Sequence, residues 1–476
     1  MTIKHQLFID GRWRDGGGEA ITVTDPATGQ VIARQCMADV QDMDDALAAA
    51  ARGFKAWRAL PVAQRAAYLH DVAKSLRARA EVIGHDLSAE QGKPLAQAKG
   101  EVMATAGYFD DLARSALYIF DRVTPAEAGG VVRTIVHEPI GPVFAVSPWN
   151  LPAMMPGRKI ANSLAAGCSV IVKPAKETPG TAAHLAQACA DAGIPAGVVN
   201  ILCGPSDAMS RHMIASAVVR KVSFTGSTEV GKELAALAGA SMKKVTMELG
   251  GHAPVILCAD ADLDKAVPML ASSRHANAGQ SCMAPTRFFV AEPIYELFCT
   301  RFSEAARALK LGHGLNADTD MGPLASQRRL PVMEHLSDDA LSKGARLMAG
   351  GARHGNQGYF YQPTVLADMP EDAAIMQEEP FGPITAITSF ADLDDVIARA
   401  NATPYGLASY IFSRDIGVAR EIALGLEAGL VGINSVNVAA PSVPFGGVKD
   451  SGIGREGSFE GLLESMVTKT ISAGAA

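Results

Sequence analysis

The chain has 476 residues, 48% of them hydrophobic and 20% charged, with a formal net charge of −7. That length exceeds what one hydrophobic core organises, so two or more domains are expected. The negative balance disfavours a nucleic-acid partner, since phosphate backbones need a concentrated basic surface, and no apolar run reaches the roughly 18 residues of a membrane-spanning helix.

The opening stretch "MTIKHQLFIDGRW" has no positive-then-apolar secretory pattern and reads as a short strand ending at a Gly turn. Residues 42 to 115 are rich in Ala, Leu, Lys, Arg and Glu. Within them "DDALAAAARGFKAWRAL" and "AQRAAYLHDVAKSLRARAEVI" carry helical spacing of apolar positions, with Pro61 suited to the first turn of the second helix. "VVRTIVHEPI" (131–140) alternates like a strand. From residue 141 strand, turn and helix repeat: "PVFAVSP", "PGRKIANSLAAG", "SVIVKP", "GTAAHLAQACADAG", then "VVNILCG" and "KVSFTGS". Such alternation implies a parallel sheet with helices on both faces. A second series follows residue 251, with strands at "TRFFVA" and "ITAITSF" and helices at "PIYELFCTRFSEAARAL" and "LDDVIARANA". "PFGGVKDSGIGREG" (444–457) is dense in glycine and polar residues and reads as a loop.

Seven cysteines, an odd count spread far apart with no CxxC pair, argue against a disulfide framework or a zinc site. A reduced cytoplasmic protein with buried thiols is expected, Cys282 excepted. Cys282 stands in "NAGQSCMAP" among small and polar neighbours, a poor setting for a core cysteine and a good one for a nucleophile. "VSFTGSTEVGKELA" follows a strand and opens a helix, which would set Thr225, Gly226 and Ser227 against a diphosphate. A plain Gly turn with a Ser/Thr cap explains that stretch equally well. Lys173, at the end of "SVIVK", could reach a ribose or phosphate, or simply lie in solvent.

Taken in order, "SPWNLP", "KPAKETP", "FTGSTEVG", "MELGGHAP", "GQSC", "EEPFGP" and "PFGGVKDSGIGREG" resemble the motifs of the NAD(P)-dependent aldehyde dehydrogenase superfamily along essentially the whole chain. The resemblance implies an α/β fold of three parts. These are a Rossmann-type nucleotide-binding domain (1–116 and 141–250), a catalytic α/β domain (251–445), and a β oligomerisation arm with bridging segments (117–140 and 446–476). A homodimer or homotetramer acting on a small-molecule aldehyde is implied by analogy, with no metal.

The implied chemistry begins with Cys282 adding to the aldehyde, so that the carbon becomes tetrahedral and can release hydride. The side-chain amide of Asn150 and the Cys282 backbone N–H would hold the oxyanion. After hydride passes to the nicotinamide, Glu248 would activate water against the thioester, and Glu456 resembles a second carboxylate that relays protons. In isolation Asn150 reads as a turn residue and Glu248 as a surface carboxylate. Glu248 also sets the chain apart from the CoA-acylating branch, so water is the expected acceptor and a free acid the product. Trp149, Lys173, Gly226 and Ser227 match positions around the adenosine diphosphate half; Glu379 and Phe381 match those holding the nicotinamide ribose and ring.

NAD-preferring members often carry a glutamate three residues after the strand-end lysine. Here that position is Lys176, with the glutamate moved to Glu177. Lys176 could pair with a 2′-phosphate, so NADP is favoured over NAD. The wording of the motifs is most similar to the succinate-semialdehyde dehydrogenase branch, whose substrate carboxylate is held by two arginines and a serine. Arg158 matches the first arginine, but the other two positions are Ala276 and Ala440. With two anchors missing, an aromatic or medium-chain aldehyde is expected, and a carboxylated semialdehyde is the alternative. Arg274 and His275 could replace the missing charge, although a helix-surface place is expected for both. A non-catalytic binding protein and an esterase are the competing classes, and only a dehydrogenase would generate reduced cofactor.

Overall fold

The computed structural model describes residues 5–125 and 130–474. Residues 1–4, 126–129 and 475–476 lie outside the described residues, and with them the start of the opening stretch and parts of the 117–140 and 446–476 segments.

Short β-branched runs that are buried along their whole length form the parallel centre of an eight-stranded sheet. Edge to edge its strands are Gly452–Ile453, Lys244–Glu248, Lys221–Thr225, Val143–Val146, Val170–Lys173, Val199–Ile201, Leu7–Ile9 and Arg12–Arg14. In chain order the five parallel strands lie third, second, first, fourth, fifth, the Rossmann-type arrangement that the sequence implied. The order of strand addition therefore reverses between the parallel neighbours Val143–Val146 and Lys221–Thr225, and ligands of such sheets bind beyond the carboxyl ends of that pair.

A second sheet has seven strands in the order Arg346–Ala349, Thr364–Ala367, Ile384–Phe390, Pro285–Ala291, Ala253–Leu257, Ala408–Phe412 and Leu430–Ile433. Only the first of these runs antiparallel to its neighbour. Glu248 ends a strand of the first sheet and Ala253 begins one of the second, so the carboxyl edge of one sheet meets the amino edge of the other. Cys282 lies three residues before Pro285, at that same junction. A separate three-stranded sheet pairs Met466–Ala473 with Val132–Pro139 over eight residues, and Arg122–Val123 with Val132–Pro139.

Three local expectations change. The pattern read as one helix over 63–83 is broken at Arg79, giving helices Val62–Ala78 and Ala80–Gln91 with Pro61 just ahead of the first. At the break Arg79 reaches His184 Nδ1 at 2.9 Å, which ties the turn to the helix Pro179–Asp191. The stretch 444–457 is also more than a loop. Gly452–Ile453 pairs antiparallel with Met247–Glu248, while Phe445 and Glu456 exchange backbone hydrogen bonds of 2.9 and 2.8 Å. Lastly, Cys36 joins Cys282 in being only partly buried; the other five thiols are buried as expected.

Candidate active site

The segment that carries Cys282 owes its shape to a tight turn of unusual backbone. Asn277 and Ala278 both have φ of +52° and Gly279 has +70°, in the left-handed region that costs non-glycine residues about 1–3 kcal/mol unless their surroundings impose it. Those surroundings are a set of buried amides. The Asn277 N–H donates to Gln97 Oε1 at 2.9 Å, Gln280 Nε2 donates to the Asn277 carbonyl at 2.9 Å, and the Ala325 N–H donates to Gln280 Oε1 at 2.9 Å. A Cβ at Gly279 would lie 2.5 Å from the Gly382 carbonyl oxygen. Beyond the thiol, the Tyr410 hydroxyl donates to the Met283 carbonyl at 2.7 Å. Burial, reinforced by Glu379 and Glu248, pushes the Cys282 thiol up to about 12, so the resting sulfur carries its proton.

Around this turn the structure gathers the other residues singled out for chemistry. Asn150 is buried, and its Nδ2 donates to the Gln280 carbonyl at 3.1 Å, so its amide points at the nucleophile segment. Glu248 is 2% exposed, which removes the surface-carboxylate reading. Both of its carboxyl oxygens lack hydrogen-bond partners among the described residues, and burial together with Glu456 raises its pKa well above the ordinary range. Room for that carboxyl comes from Gly446, where a Cβ would sit 2.9 Å from Glu248 Oε1. Glu456 is buried too, but Ser223 Oγ donates to its Oε1 at 2.8 Å and Lys159 Nζ at 2.5 Å. Burial opposes its charge; Lys159 and Arg158 outweigh that and hold the carboxyl below the usual range. Two buried glutamates thus sit side by side with pKa values pushed apart, the pattern that separates a proton acceptor from a permanent charge.

Several of the residues expected on the nucleotide side line the carboxyl edge of the first sheet. Ser147 follows Val143–Val146 and Thr225 ends Lys221–Thr225, one beside each strand of the switch point, and both hydroxyls are buried with no hydrogen-bond partner among the described residues. Lys173 ends the next strand; burial lowers its pKa, and no carboxylate pairs with it among the described residues. Ser227 precedes the helix Thr228–Ala240 without a side-chain bond capping the first turn, leaving those N–H groups open. At Gly226 a Cβ would lie 2.5 Å from the Phe224 ring. Glu379 accepts from the Gly251 N–H at 3.0 Å, and burial raises its pKa to about 7. Phe381 meets Trp149 edge-on at 5.5 Å across the junction of the sheets. Orphaned hydroxyls, an unpaired buried ammonium and an open helix start all fit an anionic, hydroxyl-bearing dinucleotide. Lys176 is exposed, and its neighbour Glu177 lies 3.6 Å from Arg328.

On the other side of Cys282 lies a cavity of about 370 Å³ whose wall is mainly apolar, including Leu151, Met154, Met283, Tyr410, Val438 and Pro441. Ala276 lines it, and so do Ala439 and Pro441 on either side of Ala440. Arg158 is 1% exposed and clamped between the rings of Tyr108 and Phe445, at 4.5 and 4.3 Å. Its Nη2 donates to the Tyr108 hydroxyl at 2.9 Å, whereas its Nε and Nη1 have no hydrogen-bond partner among the described residues, Nη1 lying 4.0 Å from Glu456 Oε2. The surface place expected for Arg274 and His275 is wrong: both are buried. Arg274 donates to the Gly382 and Ile384 carbonyls and His275 Nδ1 contacts the Ala271 carbonyl, so both serve local packing rather than the cavity.

Sequence reading missed Lys93, Glu101, Lys159 and Ser223. A trace of Ser223 was present, because "KVSFT" puts Lys221, Ser223 and Thr225 on one face of a fully buried strand. Lys159 had a similar signal, a cation in a helix with almost no exposed residue.

A model described as the aldehyde dehydrogenase family matches residues 13–471. The 4-(hydroxymethyl)benzenesulfonate dehydrogenase TsaD1 of Comamonas testosteroni is 42% identical over 465 residues, covering 98% of this chain and 97% of that protein. The NADP(+) succinate-semialdehyde dehydrogenase GabD of Escherichia coli (strain K12) is 39% identical over 472 residues, covering 99% of this chain and 98% of that protein. A crystal structure of an NADP-dependent enzyme from E. coli superposes with a TM-score of 0.98 at 39% identity, covering 99% of this chain and 98% of that one.

Proposed function

The chain belongs to the aldehyde dehydrogenase family, whose members oxidise aldehydes with NAD(P)+, and we propose that its substrate is a neutral aromatic or medium-chain aldehyde and its product the free acid. The observation that carries this reading is the cavity wall. Of the described residues lining it, Lys93 and Glu101 alone are charged, and they pair with each other at 2.6 Å. A substrate carboxylate in that space would be desolvated without a counter-charge, which costs several kcal/mol at roughly the level of an unpaired buried ion. An apolar ring or chain loses nothing there and gains from burial.

The residues divide the chemistry as follows. Cys282 Sγ passes its proton to solvent and bonds to the carbonyl carbon as the carbonyl π pair moves onto oxygen, which the second Asn150 Nδ2 hydrogen and the Cys282 N–H hold. Bound NAD(P)+ supplies the hydride acceptor. Glu248 then takes a proton from water as the water oxygen bonds to the thioester carbon; the C–S bond breaks and the thiolate recovers a proton. Glu456, kept ionised by Lys159 and Arg158, raises the proton affinity of Glu248. NADP+ is the preferred cofactor, because exposed Lys176 can meet a 2′-phosphate while Glu177 is drawn towards Arg328.

A carboxylated semialdehyde is the second reading, favoured by two nitrogens of Arg158 that lack hydrogen-bond partners among the described residues, although Nη1 lies 4.0 Å from Glu456 Oε2. Measuring kcat/KM for benzaldehyde, hexanal and succinate semialdehyde with both cofactors decides between them. The neutral aldehydes are expected to lead; a hundredfold advantage for succinate semialdehyde overturns the assignment, and a strong NAD+ preference overturns the cofactor choice. The same reading makes the chain a homodimer or homotetramer. In support, Val467, Ile471, Val123, Tyr118 and Phe120 are exposed on or beside the three-stranded sheet, and light scattering measures the mass directly.

A further inference from the structure

Lys93 and Glu101 belong to none of the motifs that carry the chemistry, yet their buried ion pair is bonded to the backbone of residues 150–154 at the end of the cavity. Lys93 Nζ donates to Glu101 Oε2 at 2.6 Å and to the backbone carbonyl of Asn150 at 2.7 Å. Glu101 Oε1 accepts from the N–H groups of Ala153 and Met154 at 2.8 and 3.0 Å. Those two amides begin the helix Met154–Ala166, whose own N-cap residue, Ala153, has no side chain able to cap it. The carboxylate therefore caps the helix from a distance, and negative charge is favoured at that end.

The other lone pair of the Asn150 carbonyl is filled from the nucleophile side. Asn277 Nδ2 donates to it at 2.9 Å, and Gln91 Nε2 donates to Asn277 Oδ1 at 2.8 Å. Asn277 is also one of the residues held in the left-handed region just before Cys282. The ammonium and the amide thus grip a single carbonyl from two directions, fixing the backbone that carries the Asn150 side chain. On its far side that side chain is held to the Gln280 carbonyl at 3.1 Å. An oxyanion donor acts by being in place before charge develops, and a shift of about 1 Å can cost roughly a hundredfold.

We propose that the Lys93–Glu101 pair is a positioning device for the oxyanion hole: it holds the 150–154 backbone so that the Asn150 amide stands ready beside Cys282. The pair acts through Asn150 and does not touch the reacting atoms. This inference rests on the role given to Asn150 above.

The test is a double-mutant cycle on the full-length enzyme with Lys93→Met, Asn150→Ala and the double variant. It reads kcat/KM with the most active aldehyde, the rate of cofactor-free alkylation of Cys282 by iodoacetamide, and the calorimetric dissociation constant of 2′,5′-ADP. Asn150→Ala is expected to lower kcat/KM about a hundredfold and Lys93→Met about tenfold or more, with the double variant no lower than Asn150→Ala alone. Alkylation and analogue binding should stay within about twofold, since neither uses the oxyanion hole. A merely structural role would give losses that multiply, and that result overturns the proposal; so does a Lys93→Met enzyme within about twofold of the parent. An Asn150→Ala enzyme of undiminished activity overturns the oxyanion reading itself, and this inference with it. Should Lys93→Met fail to fold, the nearly isosteric Glu101→Gln enters the same cycle under the same criteria.

Discussion

Glu248 shows most directly how a single residue trades stability for chemistry. Its two oxygens are buried without hydrogen-bond partners among the described residues, within the field of a second carboxylate, an arrangement no stable scaffold would choose for its own sake. Its pKa is raised on folding, so the folded state favours the protonated form. The stability it contributes is therefore present at low pH and is lost as pH rises through the raised value. Glu248→Gln should leave stability near pH 4 unchanged and increase it by about 1–3 kcal/mol at pH 8, read by urea denaturation at both values. In the proposed role the same group must be ionised to take a proton from water, so kcat should climb as pH rises through that raised value in the parent enzyme. In Glu248→Gln that rise should vanish together with most of the turnover. A stability gain that is equal at both pH values would show that the carboxyl is already ionised at no cost.

At the scale of elements, the Gly-rich segment after residue 444 deserves a test of its own, because it closes the site from the C-terminal side. Gly452 has φ of +156°, and a Cβ there would lie 2.2 Å from the Met247 carbonyl oxygen, within the strand that ends at Glu248. Gly452→Ala is expected to cost about 1–3 kcal/mol and to lower kcat, with the 2′,5′-ADP dissociation constant unchanged, since the nucleotide edge lies on other strands. Unaltered turnover would show that this strand pairing does not locate Glu248. The segment was misread from sequence because a two-residue edge strand has no periodicity to detect, whereas the fully buried central strands were plain from their β-branched runs. The break at Arg79 was invisible for the opposite reason: the apolar pattern continues through it, and only the tertiary contact with His184 marks the turn. Cys282, Asn150 and Glu248 were legible because each sits in a short motif. Lys93 and Glu101 were not, since their partners are backbone groups far along the chain, and nothing local shows a lysine which carbonyl it will meet.

For the molecule as a whole, the consequence of this architecture is that the proposed cofactor site is a seam. Lys173, Thr225 and Ser147 come from the first sheet, while Glu379 and Phe381 precede the strand Ile384–Phe390 of the second. The Trp149–Phe381 contact crosses between them. A dinucleotide lying there would join both halves, so binding should raise the stability of the whole chain and not of one part. At one hundred times the dissociation constant the gain is about 2.7 kcal/mol. The two cofactors then become a measure of Lys176. With NADP+ and NAD+ at equal concentration, NADP+ should raise Tm further, because the exposed ammonium can pair with the added phosphate. Lys176→Glu should reverse that order by repelling the 2′-phosphate, leaving the Tm of the free protein nearly unchanged, as expected for an exposed side chain. If the order survives the substitution, cofactor choice is made elsewhere along the seam, and Arg328, already 3.6 Å from Glu177, is the next residue to change.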